Sequence, residues 1–100
     1  MATTPIHVFA KWKVKEEHIL IVEGLLKELH TKTTREEGNL FYQIHRSQTD
    51  PNTLLIFEGY ASAEAQQAHT NAGHFKDLAV GRIIPLLLER EVLLAIPLDL

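Results

Sequence analysis

Ile6-His7-Val8-Phe9-Ala10-Lys11-Trp12-Lys13-Val14, followed by Ile19-Leu20-Ile21-Val22-Glu23-Gly24-Leu25-Leu26-Lys27-Glu28-Leu29, carries two hydrophobic periods in succession. In the first run Ile6, Val8, Ala10, Trp12 and Val14 recur at every second position, the period of a strand with one buried face. In the second, Ile19, Val22, Leu25, Leu26 and Leu29 recur at spacings of three and four, with Glu17, Lys27, Glu28 and Lys32 on the other side. A strand therefore leads into a long amphipathic helix that starts near Glu16. The helix is expected to end near Glu37-Gly38, with Gly38 as a left-handed cap.

Working outward, 39–48 and 54–60 read as strands joined through Thr49-Asp50-Pro51-Asn52-Thr53. Asp, Pro and Asn in that order suit a type I turn, because Pro presets φ and Asp bonds the backbone that follows. The pair is a hairpin. If the turn closes with Asp50 opposite Thr53, then His45 faces Glu58, Gln43 faces Tyr60 and Ser47 faces Ile56, all on one side of the sheet. Tyr42, Ile44, Leu55, Phe57 and Gly59 would then form the apolar, helix-covered side, and a loop one residue longer or shorter would reverse the split. Ser62 is placed to cap a short helix through Ala65, Ala68 and His69, and Gly73 to end it. A further helix runs from His74 towards Leu87, with Pro85 near its end. The last strand covers 89–96, closed by Pro97.

The order strand, helix, strand, strand, helix pair, strand is the ferredoxin-like βαββαβ arrangement, an α+β fold with an antiparallel sheet and helices on one face. One hundred residues build one hydrophobic core, so 1–100 is read as a single domain. Leu54 to Phe57 and Val92 to Ile96 do not alternate, as expected of strands buried on both faces. Helices cover one face only, so a second copy of the chain is the expected cover for the other.

Composition narrows the function classes. The net charge is −3, and the lysines are interleaved with glutamates, which argues against nucleic acid as a partner. No segment approaches the roughly 20 apolar residues of a bilayer span, and Met1 to Pro5 carry neither a basic flank nor an apolar run. A soluble, cytoplasmic protein without a membrane partner is expected. Cysteine is absent, which removes disulfides and thiol chemistry. Six histidines are the main acid-base candidates.

Glu58 interrupts an apolar strand, where an unpaired carboxylate is costly. Two readings stand level: a partner to His45 in general-base chemistry, or a structural ion pair or backbone-bonded carboxylate. For His69 and His74 the plainer roles, a satisfied backbone carbonyl and a helix cap, outweigh a functional one when each residue is taken alone. A spacing of five does not stack two imidazoles on one helical face, and no cysteine assists, so no metal site is expected. No phosphate loop, nucleophile elbow or dinucleotide fingerprint is present.

Glu36-Glu37-Gly38-Asn39-Leu40 before Tyr42, Asp50-Pro51, Phe57-Glu58-Gly59-Tyr60, Ala65 to His69 and His74-Phe75 together resemble the antibiotic biosynthesis monooxygenase domain of the dimeric α+β barrel superfamily. Tyr60 stands where that family commonly has tryptophan. The resemblance implies a homodimer with one pocket per subunit between sheet and helices. It also implies oxidation of small phenolic, quinol or anthrone-like compounds by O₂ without metal, flavin or haem. On that basis His45, Glu58, His69 and His74 are the expected catalytic residues, and Trp12, Gln43, Tyr60 and Phe75 the expected substrate contacts.

The resemblance extends to two other enzyme lineages. One isomerises small phosphorylated diketones, for which the same proton-handling residues would serve enolisation and Lys11, Lys13 or Arg46 would meet the phosphate. Another degrades haem through a helical histidine, a role only forced onto His69 or His74. A dimeric small-molecule-binding module without catalysis is the non-enzymatic alternative.

Overall fold

The structure is a computed structural model describing residues 3–100; Met1 and Ala2, part of the N-terminal reading above, lie outside the described residues. Strand β1 spans Ile6–Val14, and after a 3₁₀ turn at Glu16–His18 helix α1 spans Ile19–Thr33. Strands β2 (Asn39–Arg46) and β3 (Thr53–Tyr60) form the hairpin. Helix α2 (Ala63–Asn71) leads to a π-type helix, α3 (Phe75–Ile83), then a 3₁₀ turn through Pro85 and strand β4 (Leu87–Ala95). The sheet runs β2-β3-β1-β4 and every pairing in it is antiparallel. This is the expected ferredoxin-like α+β fold.

Each element follows its pattern. Val8, Ala10, Trp12 and Val14 of β1 are buried beneath the helices, and Val22, Leu25, Leu26 and Leu29 of α1 meet them. Ser62 caps α2 as expected, its Oγ accepting from the Ala65 amide at 3.1 Å. Gly38 departs from expectation. No glycine has a positive φ, and α1 ends before a turn over 34–38 rather than in a left-handed cap. Gly38 is instead a point of close approach, because a Cβ there would run into the Cβ of Ala65.

The hairpin register is a correction. Arg46 pairs with Leu54, His45 with Leu55, Gln43 with Phe57 and Tyr42 with Glu58, three residues away from the expected register. The Asp50 turn does form: Thr53 N donates to Asp50 O, and the Asn52 amide and Thr53 hydroxyl bond the Asp50 carboxylate at 2.9 and 2.7 Å. These bonds hold the Asp50 carboxyl below its ordinary pKa. The extra residues come from Ser47, whose Oγ accepts from the Thr49 and Asp50 amides. Ser47 N still donates to the Thr53 carbonyl at 2.9 Å, but its side chain folds the residues after it out of the ladder and lengthens the loop.

An odd shift exchanges the faces. Tyr42 and Ile44 lie on the helix side and Gln43 and His45 on the helix-free side, as expected, but the β3 residues are reversed: Ile56, Glu58 and Tyr60 lie on the helix side, and Leu55, Phe57 and Gly59 on the helix-free side. β4 departs as well. Val92 to Ile96 are expected to be buried on both faces, yet Val92, Leu93, Leu94 and Ile96 are exposed in the single chain, because β4 is the sheet edge beyond the helices.

On the helix-free face His7, Phe9, Phe41 and Phe57 form an aromatic cluster, with Phe9 and Phe57 stacked at 4.7 Å between centroids. Phe9 and Leu93 remain 46% and 56% exposed. No helix among the described residues is long and apolar enough to cross a membrane.

Candidate active site

Glu58 sits on β3, inside the sheet and under α2, and is only 7% exposed. Burial is the main reason its carboxyl is pushed up to about 7; the hydrogen bond from Tyr60 opposes the shift, and the charge of Glu36 adds to it. Tyr60, two residues on, points the same way along the strand and donates its hydroxyl to Glu58 Oε1 at 2.6 Å. Burial, then the neighbouring carboxylate, pushes the Tyr60 phenol far above its ordinary value, so Tyr60 stays a donor. Tyr42, opposite Glu58 on β2, is raised for the same two reasons in the same order.

His69, from α2, brings Nε2 to 3.7 Å from Glu58 Oε1. That gap is too long for a hydrogen bond but short enough for charge to be felt. On its other side Nδ1 lies 2.8 Å from Glu36 Oε2, and His74 Nε2 lies 2.5 Å from the same oxygen. A carboxylate can only accept, so both imidazole nitrogens donate to it. The geometry thereby assigns the proton of neutral His69 to Nδ1 and leaves the Nε2 lone pair turned to Glu58. Burial pushes the His69 pKa down, against the pull of Glu36. The buried His69 is thus neutral and able to take a proton.

These groups border a narrow cavity lined by Val8, Ala10, Trp12, Gln66, Thr70, Phe75, Arg90 and Val92 besides Glu58 and His69. Phe75 packs edge-on to the His69 ring at 4.9 Å between centroids. A larger, more open groove between α1 and β2, lined by residues including Glu23, His30 and Arg46, holds none of the groups with a shifted pKa. The narrow cavity is the one lined by Glu58 and His69, both with a shifted pKa.

Of the expected residues, Glu58, His69, Trp12 and Phe75 line this cavity together; Tyr60 reaches it through Glu58, and His74 through Glu36. His45 and Gln43 stand elsewhere. His45 projects from the helix-free face with Nδ1 3.3 Å from the Leu55 carbonyl, and Gln43 is exposed beside Phe57, so the expected His45–Glu58 pair does not exist. Glu36 and Arg90 were missed as site residues. Glu36 reads as one more surface acid before a turn, and nothing in a spacing of 33 residues to His69 signals their contact.

Glu36, His69 and His74 also form the one cluster among the described residues with metal-ligand spacing, their ligand atoms lying within 4.8 Å of one another. With Glu36 already receiving two N–H groups, the trio is satisfied as a hydrogen-bonded unit.

The family model described as antibiotic biosynthesis monooxygenase matches residues 5–80. The chain belongs to that family. No protein among those with curated function matches it. Among solved structures it is similar to Rv0793 of Mycobacterium tuberculosis, with 26% identity over 96% of this chain and 97% of that one and a TM-score of 0.89. It is also similar to a protein of Bacteroides thetaiotaomicron described as a possible oxidoreductase, with 27% identity, 95% and 99% coverage and a TM-score of 0.87. A third, described as an antibiotic biosynthesis monooxygenase, shares 29% identity over 94% and 99% of the two chains with a TM-score of 0.88.

The monooxygenase family match spans β1 through most of α3 and so includes Trp12, Glu36, Glu58, His69 and Phe75. Arg90 and Val92, which close the cavity on the β4 side, lie beyond it.

Proposed function

We propose that this chain is a cofactor-independent monooxygenase that oxidises a small phenolic or quinol with O₂ and works as a homodimer. One observation carries the reading: a neutral His69, held by Glu36 with its free Nε2 turned inward, shares an apolar cavity with a Glu58 carboxyl that titrates near neutrality. Such a pair takes and returns protons at neutral pH.

In this mechanism His69 Nε2 removes a ring hydroxyl proton, and the electron-rich anion passes an electron to O₂. The two radicals join to form a carbon–oxygen bond, and Glu58 supplies a proton to the distal peroxide oxygen. Breaking the O–O bond with loss of the carbon-bound proton releases water and leaves a quinone. For hydroquinone the balance is hydroquinone plus O₂ to hydroxyquinone plus water. The wall of Val8, Ala10, Phe75 and Val92 keeps bulk water from the anion.

The dimer is supported by the surface. The chain exposes 6406 Å², against about 5,800 Å² expected for a folded monomer of its mass, and the helix-free face carries Phe9, Leu55 and Leu93 in the open. A twin sheet laid on this face is the economical cover.

The test is O₂ uptake with hydroquinone or anthrone, with ¹⁸O₂ label followed into the quinone. Glu58→Gln and His69→Ala are expected to lose most turnover, on the order of 10²-fold or more for the base. Product formed under strict anaerobiosis would replace this reading with an isomerisation. Unchanged turnover in both variants would remove the site assignment.

A further inference from the structure

Two donors bordering the cavity, one buried and one exposed, have no acceptor among the described residues. Trp12 is 4% exposed, and its Nε1–H, a donor that cannot accept, has no hydrogen-bond partner among the described residues. A buried N–H left unpaired is unusual in a folded protein and is explained most simply by a ligand atom that completes it. The second donor is Arg90. It stands directly opposite Trp12 in the β1–β4 ladder, so both side chains are on the helix side, as are Val92 opposite Ala10 and Leu94 opposite Val8. Its neighbours Glu89 and Glu91 point to the other face, opposite Lys13 and Lys11. Arg90 makes no ion pair among the described residues.

The space between these donors and the Glu58–His69 pair is small. About 70 Å³ of interior is room for roughly five waters, the bulk of one aromatic ring rather than three fused ones. Its walls are aliphatic and aromatic, with the donors on the β4 side and the acid-base pair on the α2 side.

We propose that the substrate is a single-ring aromatic carboxylate whose anionic oxygens take the Trp12 Nε1–H and the Arg90 guanidinium while a ring hydroxyl faces His69 and Glu58. The assignment of the reacting hydroxyl rests on the oxidative reading above; the binding site does not. One planar guanidinium and one N–H match a singly charged planar carboxylate. A phosphate would call for more than one cation, and Lys11 and Lys13 lie on the opposite face.

Trp12 is the sole tryptophan, so the indole cross-peak in a ¹H–¹⁵N spectrum of the intact protein reports on this donor alone. Titration with 2,5-dihydroxybenzoate is expected to move that peak downfield, and to bind about tenfold or more tighter than hydroquinone. Arg90→Leu should bring the ratio of the two affinities towards one, and Arg90→Lys should restore part of it. An unmoved indole peak, equal affinities in the parent protein, an unchanged ratio in Arg90→Leu, or displacement by inorganic phosphate at equal concentration would each overturn the proposal. The two readings separate cleanly. Tight binding of 2,5-dihydroxybenzoate without O₂ uptake sinks the oxidation and leaves this site standing, whereas turnover of hydroquinone with no preference for the carboxylate does the reverse.

Discussion

His69 Nδ1 lies 2.8 Å from Glu36 Oε2, joining α2 to the turn that precedes β2 across 33 residues of chain. The contact fixes which ring nitrogen carries the proton, and with it whether Nε2 can act as a base. The same oxygen holds His74, so one carboxylate orients two imidazoles.

Glu36→Gln is therefore expected to damage turnover without emptying the site. An amide can donate to Nδ1, which would move the proton to Nε2 and remove the base. We expect kcat to fall by about a hundredfold with little change in KM, and the ¹⁵N shifts of His69 to report the exchanged tautomer. An unaltered tautomer with full kcat would count against the role given to Glu36.

Glu58 makes stability depend on pH. Its folded pKa, about 7, is raised above the ordinary carboxylate value of 4.5. Between those two values the folded state holds the proton that the unfolded state has released, so this group's contribution falls as pH rises through the window. His69 acts in the opposite sense: with its folded pKa lowered, its contribution is present above about 6.5 and is lost as pH falls. In Glu58→Gln the first contribution disappears. The variant should gain on the parent by on the order of 2–3 kcal/mol between pH 5 and pH 8, measured by urea denaturation. A constant difference across that range would show that Glu58 is not raised.

The exchanged face of β3 distinguishes two histidines that look alike in sequence, since it turns Glu58 towards His69 and away from His45. His45→Ala lies outside the cavity and should keep kcat within about twofold, whereas His69→Ala should lose 10²-fold or more. Steady-state O₂ uptake by the two variants makes the comparison.

Phe9→Glu places a charge at the centre of the aromatic cluster on the helix-free face, beside Phe57. A buried, unpaired charge is costly, so the variant should sediment as a single protomer at concentrations where the parent sediments as a pair. An identical sedimentation coefficient in both would sink the proposed dimer face.

Gly38→Ala tests how closely the turn before β2 approaches α2. The new methyl would meet the Cβ of Ala65, which has no freedom to move aside. A loss of about 1–3 kcal/mol is expected, visible as a lowered melting temperature. Gly24→Ala, with open space around it, is the matched control and should be neutral or mildly stabilising in its helix.

The order and type of the elements were legible in the sequence because they depend on short-range periodicity. Val8, Ala10, Trp12 and Val14 alternate over a buried face, Val22 to Leu29 follow the helical repeat, and Ser62 caps α2, all without reference to distant residues. Glu58, His69 and Phe75 were legible as site candidates through the resemblance that their motifs carry.

What tertiary structure alone decided is which side of the sheet each β2 and β3 residue occupies and which distant groups meet. The Ser47 side chain, by capturing two amides, moved the register by three and put Glu58 on the face away from His45; a period of two leaves such a choice open, since every odd slip exchanges the faces of one strand against the other. Glu36 reached His69, and Arg90 came to stand opposite Trp12, only when the sheet ordered itself β2-β3-β1-β4 with α2 laid across it. Local pattern determines where the chain turns and which residues are apolar, while the cluster of Glu36, Glu58, His69 and His74 is assembled by contacts between residues that carry no mark of one another in the sequence.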